Sequence, residues 1–515
     1  MNQNNISAAE LFQRVRELLM LPELEPQTRN KMMHDTLILC CHEGVKDTKQ
    51  AFGNLFSQVD YLCKARGIKV ADKIAIQTMR RHSNSQEPLS GEDLKYDARA
   101  LALFISAVFG VDVPHELNVL IPHTPRPYQK GLEINNRRIR CIVKNWDGDF
   151  IRVDIDQDAD EEEYLVQLKD EENHIDHTYL WDILKEGMQL NLLDCQVKQP
   201  IITPRLIVVE PDYLVDISSI ATCFTAFGHH PLLYLLNQMK PRANTQATLL
   251  GNFAGAALDD IINSHGKYQM NETVKTNFRE KALEFCTCPW FDPKKFYTDA
   301  SLQAFNLQQV VDILFPRTAS QAQMTALRGE SLYDRKKAIL EPSFVCEALG
   351  IQGRVDLMTT DCKLLVEQKS GRNMNIETHQ VDPGYHSYQL EPHYVQLLLY
   401  YGVLQHNFKL SNDRVNIRLL YSKYRPQDGL MVVAYYQKLF KEAIQYRNQL
   451  VAASFEIAKE GFEHALNEFT PEVLNVAGTQ DFFYNKYLKP QIEAITKPLH
   501  DLSPLEEAYF CRMMT

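Results

Sequence analysis

Asp356, Glu367 and Lys369 interrupt a stretch of sequence, Gly353–Arg372, that is otherwise built for two apolar strands. Asp356 stands between Arg354-Val355 and Leu357-Met358, and Glu367 and Lys369 follow Leu364-Leu365-Val366. A charge at such a position is costly to desolvate unless it is paired or bound to a metal. A turn near Thr360-Asp361-Cys362 folds the stretch into a hairpin and sets Asp356 opposite Val366 and Glu367. Side chains alternate along a strand, so Glu367 and Lys369 share a face while the Gln368 side chain points away. Two carboxylates and an ammonium thus gather in one small area. Oxygen ligands of this kind suit Mg²⁺ or Mn²⁺, held by Asp356 and Glu367 with the Gln368 carbonyl as a further ligand. Such an ion lowers the pKa of a bound water far below about 15.7. Lys369 would orient that water or offset charge developing on a phosphate. A salt-bridged hairpin is the competing reading, and an isolated Glu-x-Lys would favour it. The upstream Gly353-x-x-Asp356 at hairpin spacing tips the balance to a metal site.

The elements around this stretch must hold it in place. Upstream, "HHPLLYLLNQMKP", "QATLLGNFAGAALDDIINSH" and "ETVKTNFREKALEFC" read as helices, followed by strands in "AILEPSFVCEAL" and "GIQGRVDLMTT". Downstream come a helix, "HYVQLLLYYGVLQH", a strand, "DRVNIRLLYSKY", and a long helix around "YYQKLFKEAIQYRNQLVAAS". This order predicts an α/β arrangement around a small mixed sheet. Gln396 and Tyr400 lie one helical turn apart, on one face of the predicted helix.

Two further regions precede it. Up to about Thr124 the apolar positions recur at helical spacing, as in "SAAELFQRVRELLM". From about Pro125 the period becomes two: Ile139, Cys141 and Val143, then Ile151, Val153 and Ile155, alternate with polar residues across Asp147-Gly148, a short-hairpin signal. Further strands are expected in "EEYLVQLKD", "MQLNLLDCQVK" and "RLIVVEPDYLVD", which together suit a small antiparallel, OB-like β-barrel. The chain is therefore divided into 1–124 (helical), 125–205 (barrel), 206–460 (the unit with the acidic hairpin) and 461–515 (helical).

Composition sets the outer limits. The chain has 515 residues, 45% of them hydrophobic, and a net charge of −11, which argues against a coat of non-specific DNA-binding charge but leaves room for a local basic channel. Much of the acidity falls between Asp147 and Glu172, including "DQDADEEEY", which is expected to be a solvated hairpin or loop. No apolar stretch reaches membrane-spanning length, the start of the chain has no secretory pattern, and eleven cysteines lack framework spacing. The expectation is a cytoplasmic protein with reduced thiols. No Gly-x-x-x-x-Gly-Lys-[Ser/Thr] occurs, so ATP hydrolysis through a P-loop is not expected.

Gly353-Arg354-Val355-Asp356 followed by Glu367-Gln368-Lys369-Ser370-Gly371 resembles the PD-(D/E)XK nuclease core, and Gln396-x-x-x-Tyr400 resembles the motif that its RecB-like branch adds on the next helix. Roughly Pro125 to Ala453 is similar to the nuclease half of eukaryotic flap-processing helicase–nucleases, including a helix that carries Arg447-Asn448. The resemblance implies a Mg²⁺- or Mn²⁺-dependent nuclease that cuts single-stranded DNA, with Gln396 and Tyr400 positioning the strand. It also implies a helicase motor beyond residue 515 or on another chain, and work in DNA repair or replication. A catalytically weakened DNA-binding or scaffolding module, and a defence nuclease, are the alternatives. The chain departs from the family twice. Gly255 stands where the branch usually carries a metal-binding histidine, with Asp259 one helical turn beyond as a substitute or as a plain helix-surface acid. Many relatives hold an iron–sulfur cluster on one cysteine before the core and three after it, whereas Cys511 is this chain's single cysteine after Lys369, so no cluster is expected. His229, His230 and His386 are read as structural.

Overall fold

A serine and a glutamate three residues apart start the first helix: the Ser7 hydroxyl accepts the Glu10 N–H, and the Glu10 carboxylate accepts the Ser7 N–H. Ser90 and Asp93 start Gly91–Phe109 in the same way. The computed structural model describes residues 6–48, 50, 52–85, 88–126, 137–156, 163–225, 228–239, 244–264, 267–381, 387–410, 415–468, 470–475 and 482–514. The chain is a mixed α/β protein of two compact units, Met1–Tyr213 with Val451–Gly461 and Thr515, and Leu214–Leu450 with Phe462–Met514.

In the first unit, the helices Ala8–Leu19, Pro26–Val45, Leu55–Ala65, Val70–His82 and Gly91–Phe109 bury Leu11, Val15, Leu37, Leu101 and Ile105 in one apolar core. A seven-stranded sheet follows, in the order Gln196–Lys198, Ile201–Thr203, Tyr164–Gln167, Phe150–Ile155, Arg138–Asp147, Gln189–Leu193, Leu206–Val209. The hairpin at Asp147-Gly148 is present, with Gly148 at φ +55°, a backbone conformation that favours glycine. Ile139, Cys141, Val143, Ile151 and Val153 point into the core of the sheet, as the alternation predicts. The sheet is not antiparallel throughout: Tyr164–Gln167 and Ile201–Thr203 run parallel. Alternation reports which face is buried, not the direction of the neighbour. The run "MQLNLLDCQVK" breaks at Asp194, whose φ is +49°. Most of "DQDADEEEY" (157–162) lies outside the described residues.

The second unit is built on a five-stranded mixed sheet in the order Ala338–Leu340, Leu357–Thr359, Leu364–Lys369, Asn416–Tyr421, Leu430–Val432. Leu364–Lys369 is its central strand, antiparallel to Leu357–Thr359 and parallel to Asn416–Tyr421. The helices Gln246–Asn263 and Pro293–Leu314 cover one face through Leu249, Phe253 and Leu307 against Leu364, Val366 and Leu420. The helix Glu391–Phe408 covers the opposite face, where Lys369 meets Gln396 and Tyr421 meets His393. The stretch "AILEPSFVCEAL" forms two strands instead of one. Glu341 sits at φ +48° and Pro342 lacks an N–H, so Ala338–Leu340 stays in the five-stranded sheet while Ser343–Cys346 joins Ile351–Arg354 and Val215–Asp216 in a three-stranded one. Among the described residues no helix is long and apolar enough to cross a membrane.

The helix Glu391–Phe408 approaches its neighbours closely at Gly402, where an added Cβ would lie 2.8 Å from Cζ of the buried Phe440 ring. A ring held in a packed core cannot swing aside cheaply. Gly402→Ala is therefore expected to lower stability by about 1–3 kcal/mol in chemical denaturation.

Candidate functional site

The turn between Thr359 and Leu364 sets the register of the acidic hairpin. Cys362 takes a left-handed φ of +54°, and its N–H donates to the Thr359 carbonyl at 2.8 Å. The resulting register pairs Leu357 with Val366, which places Asp356 beside Glu367, one step further along. Glu367 is 2% exposed. Its Oε1 accepts a hydrogen bond from Lys369 Nζ at 2.8 Å, and Lys369 Nζ also donates to Gln396 Oε1 at 2.7 Å. Glu367 Oε2 is buried with no hydrogen-bond partner among the described residues. Asp356 Oδ2 accepts the Gln368 N–H at 2.6 Å.

Each residue singled out from the sequence can now be placed. Asp356, Glu367 and Lys369 come together, and Gln396 joins them through Lys369. The Gln368 side chain leaves by the other face, donating to Ser422 Oγ at 2.9 Å, and Ser422 Oγ in turn donates to Gln303 Oε1 at 2.7 Å. The N–H and C=O of a strand residue leave by the same edge. The Gln368 N–H faces Asp356, so its carbonyl opens on the Asp356 side, while the Lys369 carbonyl accepts the Ser422 N–H on the other. Tyr400 is buried, and its hydroxyl donates to the Arg354 carbonyl at 2.6 Å, which fastens the helix to the backbone two residues before Asp356. Gly353 makes room for this contact, since a Cβ there would lie 2.9 Å from Tyr400 Cε1.

The electrostatics of the site are those of two carboxylates short of positive charge. Burial, followed by the neighbouring Asp356 carboxylate, raises Glu367 to about 8, against which Lys369 acts only in part. Burial also raises Asp356, opposed by the Gln368 N–H and the Lys369 ammonium. Asp259, on the helix Gln246–Asn263, is half-buried rather than a plain surface acid; burial and then the Glu341, Asp260 and Asp356 carboxylates raise it to about 6. Glu341 was not legible as a site residue. Its only signal is an acid before a proline at a strand break. A Cβ at Gly255 would meet nothing within 4 Å among the described residues.

His229 has a structural role larger than its sequence context suggests. Its Nδ1 lies 2.6 Å from Glu442 Oε1 and its Nε2 2.8 Å from Glu391 Oε2. Both nitrogens can donate only in the imidazolium form. Burial opposes that charge, but the hydrogen bonds to Glu391 and Glu442 outweigh it and raise the imidazole to about 9. The clamp holds the first turn of the helix that carries Gln396 and Tyr400. His386 lies outside the described residues.

The donor set suits a hard divalent cation that keeps several of its waters: two carboxylates, an orphaned oxygen on one of them, and a carbonyl on the same edge. Among the described residues, no group of three or more His, Cys, Asp or Glu side chains is arranged to hold a metal ion. No family model matches the chain, and no curated protein matches it.

The raised Glu367 has a thermodynamic signature. Below its ordinary value of 4.5 the proton is held in both folded and unfolded chains, and the stabilisation is fully present. As the pH rises toward and through about 8, the folded protein must surrender a proton that the unfolded chain has already lost. With divalent ions chelated, the melting temperature is therefore expected to fall across this window, and Glu367→Gln to flatten the fall.

Proposed function

We propose that the chain is a metal-dependent nuclease that hydrolyses phosphodiester bonds in single-stranded DNA, with a PD-(D/E)XK core of the RecB-like branch in its second unit. The observation that carries this reading is the buried Glu367 carboxylate, which keeps one oxygen without a hydrogen-bond partner among the described residues, beside a second raised carboxylate, Asp356. Burial of two such groups is costly in a purely structural hairpin. Asp356, Glu367 and the Gln368 carbonyl would hold Mg²⁺ or Mn²⁺. When bound, that ion supplies a water of lowered pKa and charge stabilisation at the phosphate.

The remaining work falls to the chain's own side chains. Lys369, aimed by Glu367 and Gln396, orients the attacking water and offsets negative charge on the phosphate. Gln396 fixes the ammonium, and Tyr400 fixes the backbone that leads into Asp356. The strand-rich segment of the first unit stands where the family it resembles carries an OB-like barrel, and the partner implied by that resemblance is a helicase motor in cis or in trans.

The test incubates the protein with labelled single-stranded DNA and Mn²⁺ or Mg²⁺. Glu367→Ala is expected to abolish cleavage, and Lys369→Ala to slow it by about 10²–10³-fold. Equal cleavage by wild type and Glu367→Ala would refute the assignment.

A second reading, a DNA-binding module with weakened turnover, rests on Gly255, where the helix offers open space in place of a ligand. On that reading, Gly255→His raises Mn²⁺ affinity and cleavage by about 10-fold or more. Efficient wild-type cleavage, with no gain from the histidine, sinks it.

A further inference from the structure

Beside the carboxylates lies an ion pair that neither the hairpin nor the proposed chemistry uses. Arg354 Nη1 is 3.1 Å from Glu341 Oε2, and both side chains remain open to solvent, 61% and 43% exposed. Val355, between Arg354 and Asp356, is fully buried, whereas the Arg354 side chain at the end of the strand Ile351–Arg354 stays open to solvent. The Arg354 carbonyl is already fixed by Tyr400, which gives the guanidinium a rigid base.

Glu341 reaches Arg354 from an unusual backbone. It is a non-glycine residue at φ +48°, held there because its own N–H donates to the Asp356 carbonyl at 3.0 Å and the following Pro342 carbonyl accepts the Val355 N–H at 3.3 Å. A left-handed residue of this type costs energy and persists only where its surroundings impose it. The imposed geometry docks the Glu341–Pro342 turn on the backbone of Val355 and Asp356 and sets an acid on Arg354.

We infer that Arg354 is a phosphate-binding residue for the nucleic-acid strand, and that Glu341 is the anion that occupies it until a backbone phosphate takes its place. The exchange is favoured by ordinary energetics. An exposed single-contact pair is worth about 0–1 kcal/mol, whereas a guanidinium engages a phosphate through two parallel charge-assisted hydrogen bonds. Released from Arg354, the Glu341 carboxylate stays on the acidic side of the site. The assignment rests on the proposed nuclease reading for the identity of the ligand, a phosphodiester strand, but it concerns binding and not hydrolysis.

The experiment measures binding of a labelled single-stranded oligonucleotide to the full chain, with CaCl₂ in place of MgCl₂ and the oligonucleotide checked for integrity afterwards. Arg354→Ala is expected to weaken binding about tenfold, with Arg354→Lys falling between it and wild type. Glu341→Ala is expected to tighten binding by about two- to fivefold, a gain that a structural role for the pair would not produce. In the double variant the gain should vanish, leaving the affinity of Arg354→Ala. Circular dichroism melts establish that each variant is folded, and Glu341→Gln, which keeps the size of the side chain, repeats the test should Glu341→Ala melt early. Tighter binding by Glu341→Ala that persists without Arg354 would mean simple removal of a repulsive charge and overturns the exchange. So does Arg354→Ala that binds like wild type. Wild-type protein that retains no oligonucleotide overturns this inference together with the DNA-nuclease reading, whereas wild-type binding with no metal-dependent cleavage defeats only the latter.

Discussion

The second unit is organised around one ammonium group. Lys369 Nζ sits between a carboxylate oxygen of Glu367 and the amide oxygen of Gln396, and so joins the central strand of the sheet to the helix that covers it. Remove that cation and two acids lie in a poorly hydrated place with less to offset them. Its neutralisation is incomplete even when present, because one oxygen of Glu367 still has no hydrogen-bond partner among the described residues. This imbalance gives the site its chemical character: a shortage of positive charge at a point where the backbone allows little movement.

The surrounding structure limits that movement in several independent ways. Tyr400 anchors the backbone ahead of Asp356, and Gly353 is small enough to let the ring approach. On the opposite face of the strand, Gln368, Ser422 and Gln303 form a buried hydrogen-bonded chain that fixes the same strand from behind. At the start of the covering helix, the His229 imidazolium bridges Glu391 and Glu442. Each contact is modest alone. Together they hold the side chains of the candidate site on rigid elements, which is what a site needs if its geometry is to be reproducible.

Elements with a strong local signal were legible in advance. The hairpin from Leu357 to Lys369, the helix with Gln396 and Tyr400, and the Asp147-Gly148 turn follow from alternation, helical spacing and turn chemistry, all of which act over a few residues. Less legible were features that depend on a distant partner. The strand expected across Glu341 divides between two sheets, and the parallel pair between Tyr164–Gln167 and Ile201–Thr203 joins segments far apart in the chain. Gln368 illustrates the boundary: its outward side chain follows from alternation, but its hydrogen bond to Ser422 requires the parallel neighbour.

By itself, the sequence determined the residue types of the site and the face on which each lies, because strand alternation and helical periodicity are local consequences of covalent geometry. It determined the α/β class for the same reason. Only the tertiary structure decided that Lys369 spans to Gln396, that Tyr400 spends its hydroxyl on the Arg354 backbone, and that Glu341 joins the acidic neighbourhood of Asp259 and Asp356. Those pairings join segments separated by tens of residues, and electrostatics in a desolvated space depend on distances that no one-dimensional pattern encodes.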